Sequence, residues 1–141
     1  MKADRRFRIF IIEDSEIYST MLNYVLSKNK CIDIIVFNNV DDCEKYKKIK
    51  PNLIILDHNL NGIEDLSPFH SIKKLFKKVP IIVMSAQEDI NVIFKYIEYG
   101  ATDYVIKNDK SFDLISTVVN SIINGILSPK NIIKQINSIL K

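Results

Sequence analysis

Apolar positions along the chain follow two alternating rhythms. Five short runs rich in β-branched residues recur: FRIFIIE (7–13), CIDIIVF (31–37), PNLIILD (51–57), VPIIVMS (79–85) and TDYVIK (102–107). Three of them are nearly continuous in apolar residues, the pattern of parallel strands covered by helices on both faces. Between and after the runs the spacing becomes helical. Ile17, Met21 and Val25 form one stripe with Leu22 and Leu26 beside it. Ile90, Ile93, Phe94 and Ile97 form a second, and Ile115, Val118, Val119, Ile122 and Ile126 a third. Ser15 and Ser111 read as helix caps, Ser67-Pro68 as a cap followed by proline in the first turn, and Gly100 as a left-handed helix terminator. Strand and helix thus alternate five times, which with right-handed crossovers predicts a doubly wound α/β sandwich.

One segment is left over. Ser128-Pro129 restarts a helix in which Ile132, Ile133, Ile136, Ile139 and Leu140 form an apolar stripe. The expected division is a domain over 1–126 and an amphipathic helix or linker over 127–141. That helix either folds back on the domain or leads to something beyond residue 141.

Composition narrows the class. A chain of 141 residues suits one domain with its own core, and 47% apolar with 26% charged residues is a soluble globular balance. The net charge of +3 comes with lysine clusters at Lys47, Lys48 and Lys50 and at Lys73, Lys74, Lys77 and Lys78. They lie near the ends of helical segments, where solvation and the helix dipole account for them without nucleic acid or a membrane. Cys31 and Cys43 lack C-x-x-C spacing, so neither a disulfide framework nor a zinc site is expected. The opening MKADRRFRIF has no long apolar core, and no run reaches the ~18 apolar residues of a membrane span. A cytoplasmic protein is expected.

The chemistry lies at the strand ends. In open α/β sheets, sites form outside the carboxyl ends of the strands where strand order reverses. The first run closes on Glu13 with Asp14 next, the third on Asp57, the fourth on Ser85 and the fifth on Lys107. Parallel strands would bring all five side chains to one edge. Three carboxylates there repel one another, and magnesium suits a site of a few carboxylates, waters and a phosphoryl oxygen. Lys107 adds a fixed positive charge and Ser85 a hydroxyl, which leaves Asp57 as the nucleophile toward a phosphoryl group. Singly, each has an ordinary reading: Asp14 as a helix cap, Lys107 as a strand end, Ser85 as a loop hydroxyl. Their joint placement at strand ends does not.

With those residues in view, the chain resembles the response regulator receiver domains of two-component signalling, the CheY-like family, over roughly residues 7–126. IIEDS matches the acidic pair, LIILDHNL the phosphoacceptor, VMSAQ the Ser followed by a small residue (Ala86), and GATDYVIK the lysine. The resemblance implies a five-stranded parallel sheet of order 2-1-3-4-5 with helices on both faces. It implies Mg2+ held by Glu13, Asp14, Asp57 and the backbone carbonyl of Asn59. It makes Asp57 the acceptor of a phosphoryl group from a sensor histidine kinase or phosphotransfer protein, with Lys107 and Ser85 beside it. Tyr104 matches the aromatic switch that follows Ser85, and Asn59 and Gln87 stand where the family sets acyl-phosphate lifetime. A face of the fourth helix, fifth strand and fifth helix, with Lys95, Tyr96, Tyr99 and Tyr104 on it, would be read by a downstream protein, an output domain or a second copy. No enzyme activity is implied beyond the chain's own phosphorylation and dephosphorylation.

Some positions depart from the family pattern. Asn61 stands in place of the usual Pro and Asp65 in place of Gly, although Asn61-Gly62 is a good turn pair. Asn108 follows Lys107 where a proline with a cis bond is usual, and a non-proline cis bond costs about 2.5–4 kcal/mol. Either that strain is kept or the loop takes another route. Two other readings remain: a degenerate receiver used for docking or dimerisation, and a haloacid-dehalogenase-type phosphatase, which needs a second carboxylate where Asn59 stands. His58 and His70 read as incidental, His58 pointing away from Asp57 along an extended chain.

Overall fold

In a computed structural model, which describes residues 6–59, 65–125, 137, 139 and 140, the five runs form one sheet. The elements alternate as β1 (Phe7–Ile12), α1 (Glu16–Leu26), β2 (Ile32–Phe37), α2 (Val40–Glu44) and β3 (Leu53–Asp57). They continue as α3 (Ser67–Leu75), β4 (Ile81–Ser85), α4 (Ile90–Glu98), β5 (Asp103–Ile106) and α5 (Ser111–Ile123). All four strand pairings are parallel and the order is β2-β1-β3-β4-β5. The doubly wound sheet of order 2-1-3-4-5 is therefore present.

The continuous apolar runs are explained by two cores, one on each face of the sheet. Phe10, Ile12, Ile54, Leu56 and Val83 point to the side of Cys43, Phe69, Ile72, Ile93 and Tyr96 on α2, α3 and α4. Ile9, Ile11, Leu53, Ile55 and Ile82 point to the side of Leu22 and Leu26 on α1 and Ile115, Val118 and Val119 on α5. Side chains alternate across a strand, so a strand buried on both faces must be apolar at every position. Full burial of each such side chain contributes about 1.5–3 kcal/mol.

Several local expectations are corrected. On α1 the buried residues are Ser19, Leu22 and Leu26, while Ile17 and Met21 of the expected stripe are 77% and 46% exposed. Ser19 can be buried because its hydroxyl is satisfied within the helix, donating to the Glu16 carbonyl at 3.1 Å. Ser15 does cap α1, its side chain accepting from the Tyr18 amide at 3.2 Å. Ser67 and Ser111 are instead the first residues of their helices. The acceptors at those turns are Asp65 for the Ser67 amide and Asn108 for the Lys110 amide, each at 2.9 Å. Gly100 follows α4 at φ +101°, as a left-handed terminator requires. Its carbonyl accepts from Lys73 Nζ at 3.1 Å, so one member of a lysine cluster caps a neighbouring helix.

The Asn61-Gly62 turn, Ile126 and the tail positions Ser128, Pro129, Ile132, Ile133 and Ile136 lie outside the described residues. Of the tail, Ile139 packs half-buried against the core on the α2, α3 and α4 side, and Leu140 is exposed. Cys31 and Cys43 are both free thiols. Among the described residues no helix is long and apolar enough to cross a membrane.

Candidate functional site

Strand register assembles the site. Ile12 pairs with Leu56, so the next residues, Glu13 and Asp57, emerge side by side from the two central strands. Asp57 pairs with Met84, and Ser85 with Ile106, which brings Ser85 and Lys107 to the same edge. The strand ends are tied together beyond the ladder: the His58 amide donates to the Met84 carbonyl at 3.0 Å and the Lys107 amide to the Ser85 carbonyl at 2.7 Å. Strand order reverses between β1 and β3, so this edge is the crevice where ligands of open α/β sheets bind.

Electrostatics follow from three acids and one base. Lys107 Nζ donates to Glu13 Oε1 at 2.6 Å and to Asp57 Oδ1 at 2.9 Å, and those carboxylate side chains are only 3% and 6% exposed. The Ser15 amide donates to Glu13 Oε2 at 3.2 Å and the Asn59 amide to Asp57 Oδ1 at 3.4 Å. Asp14 is exposed at the rim, yet Glu13, Asp14 and Asp57 each place a carboxylate oxygen within 4.8 Å of the others. An all-oxygen donor set of this charge fits a hard divalent cation such as magnesium or manganese rather than zinc or copper. Burial, and then the neighbouring Asp57, push the Glu13 carboxyl up to about 7 against the opposing pull of Lys107. Burial disfavours the Lys107 charge, but its bonds to Glu13 and Asp57 outweigh this and hold it above the ordinary lysine value.

A pH dependence follows. Glu13 is raised in the folded state from 4.5 to about 7, so its contribution to stability is full below pH 4.5 and is lost as pH rises through about 7. The shift corresponds to about 3 kcal/mol. Thermal unfolding in EDTA should show the melting temperature falling across that window, and Glu13→Gln, which cannot ionise, should flatten the fall.

Behind the pocket, Ser85 is buried and its Oγ accepts from the Gln87 amide at 2.9 Å. Tyr104 is fully buried and its hydroxyl donates to the Gln87 carbonyl at 2.8 Å. Burial pushes that phenol up to about 12, with a hydrogen bond to Ser85 pulling the other way. The expected exposed face therefore needs correction. Lys95 and Tyr99 are exposed, but Tyr96 and Tyr104 are not. Their rings lie 5.8 Å apart, with Phe69 5.3 Å from Tyr96, and together they fill the space between α3, α4 and the sheet.

Three features had no signal in the sequence reading. His58 is buried rather than incidental: its Nδ1 shares a hydrogen bond with the Tyr96 hydroxyl, the rings meeting edge to face at 5.3 Å. His70 is exposed and stacks edge to face with Tyr99. Tyr18 on α1 lies beneath the Lys107 ammonium. At Asn108 the alternatives are resolved: every peptide bond among the described residues is trans. The turn is closed by the Asn108 side chain and carbonyl, which accept from the Lys110 and Ser111 amides.

Comparison with known proteins agrees with this geometry. The family model of the response regulator receiver domain matches residues 9–119. The chain is 30% identical over 115 residues to the hybrid signal transduction histidine kinase D of Dictyostelium discoideum, covering 79% of the chain. It is 25% identical over 119 residues to the chemotaxis protein CheY of Bacillus subtilis, covering 83% of the chain and 98% of that protein. The crystal structure of the phosphorylated cyanobacterial phytochrome response regulator RcpA superposes with a TM-score of 0.76 at 18% identity, over 85% of the chain and 96% of RcpA. The chain spans 7% of the hybrid kinase and 30% to 33% of four protein-glutamate methylesterases that it also matches.

Proposed function

Because the chain belongs to the response regulator receiver domain family, a module of two-component signalling, we propose that it is a phosphorylation switch with Asp57 as the acceptor. The observation that carries this reading is the convergence of Glu13, Asp14 and Asp57 with the Lys107 ammonium at one sheet edge. An Asp57 carboxylate oxygen attacks phosphorus, and the bond from phosphorus to the donor breaks. The electron pair of that bond leaves with the donor, an imidazole in the case of a phosphohistidine, and an acyl phosphate remains. Lys107 lies close enough to Asp57 to meet the charge spread over the phosphoryl oxygens, and the Ser85 hydroxyl supplies a further donor. Magnesium held by Glu13, Asp14, Asp57 and the Asn59 carbonyl would supply the remaining charge neutralisation. Neither Asn59 nor Gln87 offers a base to activate water.

The phosphodonor is a sensor histidine kinase or a phosphotransfer protein. Ile17, Met21 and Tyr24, which α1 leaves exposed, offer it an apolar surface on the helix that follows the acidic pair. In the structure Tyr104 occupies its inward rotamer against Gln87. Phosphorylation would favour this inward rotamer over an outward one as Ser85 moves toward the phosphoryl group, and the α4-β5-α5 face so set is read by a downstream protein, an output domain or a second copy. The group phosphorylated is the chain's own aspartate, and the chain works in the cytoplasm. Residues 1–126 act as the receiver and 127–141 as a segment appended to it.

The test is direct. Purified protein incubated with acetyl phosphate and magnesium should gain the mass of one phosphoryl group, removable by hydroxylamine and absent in EDTA. No gain, or a gain indifferent to EDTA, overturns the proposal.

A further inference from the structure

Lys107 is held by more than the two carboxylates. Its Nζ lies 4.2 Å from the centroid of the Tyr18 ring, within the range of a cation–π contact. At the other edge of the same ring, the Tyr18 hydroxyl is 3.2 Å from Ser111 Oγ. Ser111 spends its single hydroxyl hydrogen on the Asn108 carbonyl at 2.9 Å, so Tyr18 is the donor between the two hydroxyls. Ser111 is buried, and Phe112 packs on the Tyr18 ring at 5.0 Å. One side chain of α1 thus grips both ends of the turn 107–111, the ring against Lys107 and the hydroxyl against Ser111.

We propose that Tyr18 is a positioning residue for Lys107: its ring face fixes the ammonium over the acidic pocket, and its hydroxyl braces the turn that carries it. A lysine side chain has four flexible methylene links and would otherwise be free to swing away from the pocket into water. Held against the ring, the ammonium stays within reach of Asp57. The turn has only trans peptide bonds and no proline to stiffen it, which leaves its geometry to such contacts.

The kinetic part of this inference rests on the phosphoacceptor reading, so the experiment has an arm that does not. Tyr18→Phe keeps the ring, and Tyr18→Leu and Tyr18→Met keep apolar bulk without it. In two-dimensional NMR of the lysine side chains, the Lys107 ε-methylene protons should be shifted upfield by the ring in the parent and in Tyr18→Phe. That shift should vanish in Tyr18→Leu or, should that variant not fold, in Tyr18→Met. At saturating magnesium, phosphoryl uptake from acetyl phosphate should slow about threefold to tenfold in the ringless variants, the range expected for one cation–π contact. Tyr18→Phe, which loses only the hydroxyl brace, should slow uptake less than the ringless variants, by about twofold, and magnesium affinity should not fall in any variant, since Tyr18 is not among the acids that would hold the metal. Equal slowing in Tyr18→Phe and the ringless variants, an unshifted Lys107 in the parent, or slowing traced to weaker magnesium binding would each overturn it. If the parent takes no phosphoryl group, the functional reading fails while the NMR comparison still decides the role of Tyr18.

Discussion

Asp57→Asn should abolish phosphoryl uptake altogether, weaken magnesium binding by about tenfold or more, and leave the metal-free protein no less stable than the parent. The amide nearly matches the carboxylate in shape, so packing at this buried position is kept. What disappears is the charge and the nucleophilic oxygen. The three acids drop to two, which removes a third of the carboxylates within 4.8 Å of one another. Glu13 loses the neighbour that helps raise its pKa, and Glu13 with Lys107 becomes a one-to-one pair. The destabilisation expected between pH 4.5 and about 7 in EDTA should therefore shrink. Intact mass, titration calorimetry with magnesium and thermal unfolding at two pH values read the three effects. Uptake that survives the substitution would move the acceptor to another side chain and end the case for Asp57.

How far the sequence could foretell this site depends on what positions each residue. Glu13, Asp57, Ser85 and Lys107 were legible because parallel strands with apolar interiors fix where their carboxyl ends emerge, whatever the helices do. The face of α1 was not. Hydrophobicity says which residues can be buried, not which must be, and Ile17, Met21 and Tyr24 are apolar residues on the outside while Ser19 is inside. Serine before a helix reads as a cap, yet Ser67 and Ser111 begin their helices, and the side chains that accept in the preceding turns are Asp65 and Asn108, two and three residues earlier. Tyrosine is ambiguous for a different reason: its ring favours the core and its hydroxyl the surface, and only a partner settles the matter. Tyr104 finds the Gln87 carbonyl and Tyr96 finds His58, so both go inward. The contact of Tyr18 with Lys107 joins α1 to the end of β5, and no local pattern encodes it.

Lys107→Met should produce the second large effect, and with opposite signs for chemistry and for metal binding. Methionine keeps the apolar stem and removes the ammonium. Phosphoryl uptake should fall about hundredfold or more, the usual loss when one positioned donor to a developing charge is removed. Metal-free stability at pH 8 should fall by about 3–5 kcal/mol, because buried Glu13 and Asp57 lose the cation they share. Without its bond to Lys107, Glu13 loses the strongest influence that lowers its pKa, so the folded state holds its proton to still higher pH. A raised carboxyl stabilises below its unfolded value and not above its folded one, so the variant should regain stability on acidification. Magnesium affinity should increase, since the ammonium now bonded to two of the three metal-binding carboxylates no longer competes for them. Thermal unfolding at pH 5 and pH 8, with and without magnesium, checks the stability signs, and calorimetry checks the affinity. Weaker magnesium binding in this variant would mean that Lys107 orders the carboxylates for the metal instead of standing in its place. The acidic pocket would then be built by its lysine.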